Sequence, residues 1–190
     1  MLQMLLKWDR ALLKHINSEW HNCFWDSVLP VLRNQNTWIP LYIILITFVI
    51  IRYKNTRWWW IGFAIATVIV TNFISSGLLK HNVIRLRPCN DPANVDWIRL
   101  FKGIYLPQSS SFTSSHAANH FGLATFFYLS FKKYFNRWAL LFFVWAGSIS
   151  YAQIYIGVHY PIDILGGTLV GVAVGYFTGK RFNQQYGGLK

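Results

Sequence analysis

Two histidines and a carboxylate supply the residue types from which this chain could build a reaction centre. His159 and Asp163 are four residues apart, about one helical turn, so the carboxylate can orient the imidazole and raise its basicity. Pro161 suits the start of a helix, so simple capping would also explain Asp163. His116 supplies a second imidazole for proton transfer. A single histidine is more often structural, but the combination indicates nucleophilic or acid–base chemistry.

Three basic residues, Lys80, Arg85 and Arg87, precede these groups without a neighbouring acid. Lys80 and Arg87 are seven residues apart, about two helical turns, which predicts that they share one helix face until Pro88 ends the element. Cations without an acidic neighbour favour an anionic ligand. The alternative is that their side chains only extend to a membrane surface, as long basic side chains commonly do.

A run of hydroxyl residues stands directly before His116. Thr113, Ser114 and Ser115 precede a helix that is predicted to begin near His116, and serine or threonine commonly caps such a start. The unpaired N–H groups of a first helical turn bind phosphate well. The run therefore predicts a helix cap, and this cap is compatible with a phosphate-binding role.

Long apolar runs separate these polar groups and must position them. Residues 34–51 and 58–79 contain no charged side chain, and about 20 apolar residues suffice to cross a bilayer. The predicted spans are 36–52, 57–80, 116–131, 138–157 and 161–179. The sequence thus predicts an all-α integral membrane helical bundle with five to six transmembrane helices. Because consecutive spans alternate in direction, the polar groups at their ends are expected to meet at one membrane face.

Composition supports a membrane protein and excludes other classes. Charged residues make up 13% and hydrophobic residues 54% of the chain, whereas about a quarter of the residues in soluble domains are charged. Such apolar content also excludes a disordered chain. The net charge of +12 would suit a nucleic-acid binder, but the basic residues stand at the ends of apolar runs. The expected partner is therefore the lipid bilayer and not nucleic acid.

The N-terminal residues differ from the spans that follow. Charged residues interrupt the leucines in an amphipathic pattern, and Trp8, Trp20 and Trp25 are expected to anchor it at the interface. We therefore divide the chain into an N-terminal amphipathic interfacial segment (1–35), a transmembrane domain (36–182) and a polar C-terminal tail (183–190). Within the first segment, residues 23–33 are a candidate sixth membrane helix.

The basic residues also predict an orientation. Two short loops and the tail hold eight of them: Arg52, Lys54, Arg57, Lys132, Lys133, Arg137, Lys180 and Arg181. The positive-inside rule assigns these segments to the cytoplasm. The reaction centre is then expected on the extracytoplasmic side of a bacterial inner membrane. Lys7, Arg10, Lys14 and Arg33 oppose this orientation if the N-terminus lies outside, and a sixth span would move the first three inside.

The spacing of these residues resembles the three-part signature of the type 2 phosphatidic acid phosphatase (PAP2) superfamily, which contains membrane lipid-phosphate phosphatases and vanadium haloperoxidases. The matching residues are Lys80 with six residues before Arg87-Pro88, Thr113-Ser114-Ser115-His116, and Gln153 with five residues before His159 and then Asp163. The resemblance covers residues 74–171, about half of the chain. It implies a PAP2/haloperoxidase-like helical bundle and a metal-independent hydrolase.

The resemblance also implies a role for each motif residue. His159 would be the nucleophile that forms a phosphohistidine, Asp163 would hold its ring, and His116 would be the general acid and later the base for water. The residues expected to bind the phosphoryl oxygens are Lys80, Arg87, Ser114, Ser115, Gln153 and Arg85. No metal and no cofactor is expected.

Two motifs depart from the pattern that the family usually shows. Thr113 and Ser115 replace a proline and a glycine, which requires that the backbone of Ser115 avoid positive φ. Gln153 replaces an arginine that usually clamps the phosphate, and its amide supplies hydrogen bonds but no charge. Arg85 is expected to compensate for the missing charge.

The predicted function is hydrolysis of a membrane lipid phosphate or diphosphate. Undecaprenyl diphosphate is ranked first, followed by lipid A phosphate, phosphatidylglycerol phosphate and phosphatidic acid. Two other classes stay open: a non-catalytic relative that binds lipid phosphates, suggested by Gln153, and an anion or lipid transporter that uses the same cations. The oligomeric state and a pairing of Cys23 with Cys89 also stay open.

Overall fold

The helices of the computed structural model follow the apolar runs of the sequence. The structure describes residues 1–189, and within that range it contains no strand. The α-helices are α1 (Leu2–Lys14), α2 (Cys23–Arg33), α3 (Ile39–Arg52), α4 (Arg57–Asn82), α5 (Ser115–Phe135), α6 (Leu141–Tyr155) and α7 (Pro161–Tyr186). Short 3₁₀ turns occupy Gln35–Trp38, Pro88–Asn90, Pro92–Asn94 and Asn136–Leu140. Stretches of π-helix occupy His15–Glu19 and, inside α4, Phe73–Leu79.

Helices α3 to α7 form an integral membrane bundle. Four helical stretches are long and apolar enough to cross a membrane, and the longest is Ser115–Tyr155 with 41 residues. At about 1.5 Å per residue this stretch is roughly twice as long as a bilayer core is thick. It folds back at Asn136, where φ is +52°, so that α5 and α6 pack against each other as separate spans. The all-α membrane bundle predicted from the sequence is confirmed.

The N-terminal helices lie at one end of the bundle and do not cross it. In α1, Asp9 Oδ1 accepts a hydrogen bond from the amide of Ile162 at the start of α7 (2.8 Å). Near its two ends, α2 contacts the last turns of α6, through Asp26 to the Tyr155 hydroxyl (2.6 Å) and through Arg33 to the Gln153 side chain (3.2 Å). Residues 23–33 form a helix of only 11 residues and are not among the stretches long and apolar enough to cross a membrane. The exposed aromatic side chains of this segment, Trp8, Trp20, Phe24 and Trp25, suit a membrane interface.

A stripe of glycines brings α5 and α7 into backbone contact. A Cβ atom added at Gly167, Gly171 or Gly175 would lie only 2.4, 2.4 or 2.2 Å from the carbonyl oxygens of Ser114, Ala118 and Gly122, respectively. Small residues commonly allow such close packing in membranes. The order of these contacts shows that the two helices run parallel. Their N-termini, which carry His116 and Asp163, therefore lie side by side.

Replacing Gly175 by alanine is expected to destabilise the bundle, because the new methyl group has to displace the backbone of α5. We expect a loss of about 1–3 kcal/mol in the free energy of unfolding, the usual cost of overpacking. The measurement is the midpoint of thermal unfolding in detergent. Gly147→Ala on α6 is the matched control, since a Cβ atom there meets nothing within 4 Å. Equal midpoints for the two variants would contradict the close contact.

Candidate active site

A tight turn between α6 and α7 places His159 beneath the end of α6. Gly157 adopts φ +80°, a conformation that side chains disfavour. The turn directs the amides of Val158 and His159 back to the carbonyl oxygen of Gln153, at 3.1 and 3.3 Å. The imidazole of His159 is almost fully buried, with 2% exposure. Contacts between residues 153 and 159 thus set the backbone position of His159.

The hydrogen bonds of His159 define which ring nitrogen carries the proton. Arg87 Nη1 lies 3.0 Å from His159 Nε2, and a guanidinium can only donate, so Nε2 accepts. The proton then sits on Nδ1, which lies 3.6 Å from Asp163 Oδ2 and 3.4 Å from Ser111 Oγ. Nε2 therefore presents a lone pair on the side of the ring that faces the cations.

Burial keeps this imidazole neutral. Removal from water lowers the pKa of His159 to about 4, and the nearby charges of Arg87 and Lys80 act in the same direction, against the opposing effect of Asp163. At neutral pH the ring is therefore unprotonated at Nε2. This is the state that a nucleophilic histidine requires.

Asp163 is a connecting residue as well as a helix cap. Its Oδ2 accepts hydrogen bonds from the Tyr160 amide (2.9 Å) and from Ser111 Oγ (2.5 Å), and its Oδ1 accepts one from Arg85 Nη1 (2.6 Å). The side chain is completely buried. The capping alternative is thus correct but incomplete, because the same carboxylate also faces His159.

The chain reaches Arg87 by a different path from the one predicted. Helix α4 ends at Asn82 and Val83 is extended, so the prediction that Lys80 and Arg87 share a helix face is wrong. Pro88 disfavours helical geometry only at the residue before it, Arg87. The helix already ends five residues earlier, at Asn82. Lys80 nevertheless lies close enough to Arg87 and Asp163 for their charges to interact.

The Arg87 guanidinium is buried and held by neutral acceptors. Nε donates to the Ser109 carbonyl (2.9 Å), Nη2 to Ser109 Oγ (3.1 Å), and Nη1 to the Val158 carbonyl (3.1 Å). Carbonyl and hydroxyl oxygens orient a cation without neutralising it. Arg87 therefore keeps its full charge next to Nε2 of His159, where it could bind an anion.

Arg85 is already occupied by acidic side chains. Its two terminal nitrogens donate to Asp163 (2.6 Å) and Asp9 (2.5 Å), and its guanidinium lies over the Tyr160 ring at 4.2 Å. Burial alone would lower the pKa of Arg85, but the two carboxylates outweigh it and raise the pKa. The expectation that Arg85 compensates for Gln153 as a phosphate ligand therefore needs correction. Arg85 instead positions Asp163.

The hydroxyl run before His116 is a helix cap, as predicted. The Ser114 side chain accepts a hydrogen bond from the Ala117 amide (3.3 Å), and the Ser114 amide donates to the Asp163 carbonyl (3.1 Å). Ser115 is the first residue of α5, and its hydroxyl bonds that of Ser76 (2.7 Å). Because Ser115 has helical geometry, the replacement of glycine there causes no strain. The free amides of this first turn face the same end of the bundle as His159.

His116 lies half-buried in this cluster of charges. It is close enough to His159, Lys80 and Arg33 to interact electrostatically with all three. Its ring stacks on that of His120 at 6.2 Å between centroids. The sequence-predicted groups therefore converge on one end of the bundle. Arg85 lies there too, but carboxylates bind it.

Three residues of the site were missed by the sequence analysis. Ser111 belongs to the serine-rich run, and Asp9 is one of only six acidic residues in the chain, so both carried a weak signal. Arg33 carried none, because its partner Gln153 is 120 positions away. Within the described residues, no group of three or more histidine, cysteine or acidic side chains is placed to hold a metal ion. Cys23 and Cys89 are free thiols.

Comparisons with known proteins found a matching family and similar curated proteins. The model of the PAP2 superfamily matches residues 57–186. The chain is 32% identical to a lipid A 4'-phosphatase of Bacteroides thetaiotaomicron, over 90% of this chain and 75% of that protein. It is 28% identical to an undecaprenyl-diphosphatase of Sulfolobus acidocaldarius, over 76% of this chain and 63% of that protein.

Solved structures share the fold at low sequence identity. A transmembrane PAP2-type phosphatidylglycerolphosphate phosphatase from Bacillus subtilis superposes with a TM-score of 0.73 at 18% identity, over 96% of this chain and 87% of that one. Aquifex aeolicus LpxE gives a TM-score of 0.63 at 22% identity, over 90% and 93% of the two chains. On the match of the family model and the similarity to the relative in Bacteroides, this chain belongs to the PAP2 superfamily.

Proposed function

We propose that the protein is a membrane phosphatase that hydrolyses a lipid phosphate through a phosphohistidine. One observation carries this proposal: the buried, neutral His159 turns Nε2 towards Arg87 at 3.0 Å, and within residues 1–189 no carboxylate forms an ion pair with Arg87. A lipid whose phosphate lies at the membrane interface can present phosphorus there while its acyl chains stay in the bilayer. Phosphoryl transfer needs mainly such positioning and charge neutralisation.

The proposed reaction has two steps. His159 Nε2 attacks phosphorus, the bond to the leaving oxygen breaks, and His116 donates the proton that the leaving alcohol or phosphate requires. Water then attacks the phosphohistidine, His116 removes its proton, and the N–P bond breaks to release inorganic phosphate. Asp163 keeps the proton of His159 on Nδ1 throughout. Lys80, Arg87 and the first-turn amides at Ser115 and His116 bind the phosphoryl oxygens, with the hydroxyl of Ser114 beside them.

We propose a lipid A phosphate as the first substrate to test. The relatives in Bacteroides thetaiotaomicron and Porphyromonas gingivalis are named lipid A 4'-phosphatases, and the former is the more similar at 32% identity. The relative named for undecaprenyl diphosphate matches a smaller part of the chain. This reverses the order of the first two substrates in the sequence-based ranking. That ranking stays a prediction, and phosphatidylglycerol phosphate and phosphatidic acid remain on the test panel.

We also propose that the active site faces the extracytoplasmic side. The eight basic residues of the short loops and tail lie at the bundle end opposite His159, whereas all six acidic residues lie at the end of His159. Several basic residues of the active-site end are paired with these acids, as in Arg10–Asp91, Arg85–Asp9 and Arg99–Asp26. The uncompensated positive end is the one that the positive-inside rule assigns to the cytoplasm.

The test is release of inorganic phosphate by the purified protein in detergent, with a chelator present. The panel contains a lipid A phosphate, undecaprenyl diphosphate, phosphatidylglycerol phosphate and phosphatidic acid. We expect release from at least one lipid, fastest from the lipid A phosphate. Binding of these lipids without release would support the non-catalytic alternative. Movement of an intact lipid or anion across vesicles without hydrolysis would support the transporter.

The pH dependence of kcat/KM should reflect the lowered pKa of the buried His159. Protonation of Nε2 removes the lone pair, so kcat/KM is expected to fall only as pH approaches about 4, the lowered pKa of His159, and not near its ordinary value of 6.5. An acid limb near 6.5 would contradict a neutral, desolvated nucleophile. In the unfolded chain the same histidine binds its proton near 6.5, so folding stability decreases as pH falls from there towards 4. Recovery of activity after return to neutral pH is the control.

A further inference from the structure

Arg33, the last residue of α2, reaches the active site from outside the three motifs. Its Nε donates a hydrogen bond to Gln153 Oε1 at 3.2 Å. The backbone carbonyl of Gln153 also accepts the amide of His159, so the side chain of Gln153 starts directly beside the nucleophile. Arg33 is thereby tied to the one motif position at which the family's usual arginine is missing.

The hydrogen bond fixes the orientation of the Gln153 amide. Only the amide oxygen can accept from a guanidinium, so the NH₂ group must point away from Arg33 Nε. Gln153 is 99% buried, with 1% exposure, and its Nε2 has no hydrogen-bond partner among the described residues. A buried donor without an acceptor costs stability unless a ligand satisfies it. The amide thus presents an unused donor at the site.

Arg33 also retains donors and an uncompensated charge. Within residues 1–189 the only hydrogen bond of its side chain is the one from Nε, which leaves both terminal nitrogens for another acceptor. Its charge interacts with those of Arg87 and, in the protonated state, His116. Asp9 and Asp163, the two buried carboxylates of the site, are already bound to Arg85. Mutually repelling cations next to a nucleophile favour an anion between them.

Contacts at both ends of α2 hold Arg33 in place. Near the start of α2, Asp26 accepts hydrogen bonds from Arg99 (2.7 Å) and from the Tyr155 hydroxyl (2.6 Å). Near its end, the carbonyl of Leu32 accepts one from Trp38 Nε1 (2.8 Å). A guanidinium that is positioned in advance loses less conformational entropy when it binds an anion.

We propose that Arg33 binds the phosphoryl group of the substrate and that the side-chain amide of Gln153 orients the Arg33 guanidinium. The two residues together would then replace the arginine of the third motif. This inference rests on the proposed phosphatase function. It makes α2, which the sequence placed in a separate interfacial segment, a part of the phosphate-binding site.

The experiment compares Arg33→Gln with Arg52→Gln, which removes an exposed arginine at the opposite end of the bundle. We expect Arg33→Gln to lower kcat/KM about 10²-fold, as loss of one donor to a developing oxyanion does, and Arg52→Gln to leave it unchanged. Both proteins should keep the thermal midpoint of the unmodified chain. Unchanged kinetics for Arg33→Gln would overturn the proposal.

A reciprocal exchange separates phosphate binding from a structural role. Gln153→Arg alone should lower kcat/KM, because it brings a second guanidinium against Arg33. The double variant Arg33→Gln/Gln153→Arg restores one arginine and one amide, and we expect it to recover most of the activity lost in Arg33→Gln. A double variant no more active than Arg33→Gln, with a normal thermal midpoint, would overturn the proposal.

A measurement of phosphate binding tests the role of Arg33 separately from the proposed phosphatase function. The dissociation constant of inorganic phosphate is measured by calorimetry for the unmodified protein, Arg33→Gln and Arg52→Gln. We expect about 10-fold weaker binding for Arg33→Gln only, which corresponds to about 1.4 kcal/mol. If no lipid is hydrolysed but this difference appears, the phosphatase proposal fails and the role of Arg33 stands. If hydrolysis occurs but Arg33→Gln binds phosphate and turns over normally, only the inference fails.

Discussion

His159→Ala is expected to abolish the release of phosphate from every lipid on the panel while the protein stays folded. The variant lacks Nε2, the lone pair of which is held towards Arg87 and away from Asp163. Removal of a catalytic nucleophile in hydrolases lowers kcat by roughly 10⁶-fold, because the remaining groups only bind and stabilise. The side chain is buried, but alanine leaves a small cavity and the backbone contacts of His159 with Gln153 persist.

Two measurements check this expectation. The first is kcat on the preferred lipid, and the second is the labelled phosphoenzyme that forms when the reaction with a labelled substrate is stopped in mild alkali, in which a phosphohistidine survives. His81→Ala is the matched control, because His81 is exposed at the end of α4 and its side chain makes no hydrogen bond within residues 1–189. Phosphate release that survives in His159→Ala, or a phosphoenzyme that forms without His159, would contradict the mechanism.

Asp163→Asn is expected to have the second largest effect. The substitution keeps the shape of the side chain but removes the negative charge that lies 3.6 Å from His159 Nδ1. Arg87 still donates to Nε2 and keeps the proton on Nδ1, but the ring loses the negative charge that stabilises it as it becomes positive during attack on phosphorus. The same change in a serine protease triad lowers kcat about 10⁴-fold, and we expect a loss of similar size here.

Asp163→Asn should also destabilise the protein, because Arg85 would keep only Asp9 as an acidic partner. Removing one member of a buried ion pair commonly costs about 3–5 kcal/mol, and Arg85 is partly exposed, so we expect less than that. Activity and the thermal midpoint are measured on the same preparation. Asp91→Asn is the control, since Asp91 binds Arg10 and Tyr160 but not His159. An Asp163→Asn enzyme with normal kcat would show that Asp163 only caps α7.

The spans and the proximity of His159 to Asp163 could be predicted because their signals are local. Hydropathy over about 20 residues marks a membrane helix wherever its neighbours lie. The spacing between His159 and Asp163, the proline at the start of α7 and the serine cap before His116 depend only on backbone geometry over one or two turns. The alternation of spans then brings these ends to one face. The predicted ends at 131 and 179 were too early, because the basic residues there continue the helices to Phe135 and Tyr186.

The assignment of the cations could not be made in this way. Arg85 stands two residues from Arg87 in the sequence, yet Asp9 and Asp163 bind it from positions 76 and 78 residues away. Arg33 gave no signal of its own, and a contact over 120 residues brings it to Gln153. A basic side chain is free to bind an anion only if no carboxylate of the folded protein is already bonded to it. That is decided by long-range packing and not by spacing along the chain.

The amino-acid sequence by itself therefore determined the membrane bundle, the family resemblance and the histidine–aspartate pair, since each depends on residues within a few helical turns of one another. Only the tertiary structure decided that Arg85 supports Asp163, that Lys80 and Arg87 meet without sharing a helix, and that α2 delivers Arg33 to the site. The physical reason is that the groups packed around a charged side chain decide whether its charge is neutralised. A guanidinium neutralised by two buried carboxylates and one surrounded by neutral acceptors look the same in sequence but behave oppositely towards phosphate.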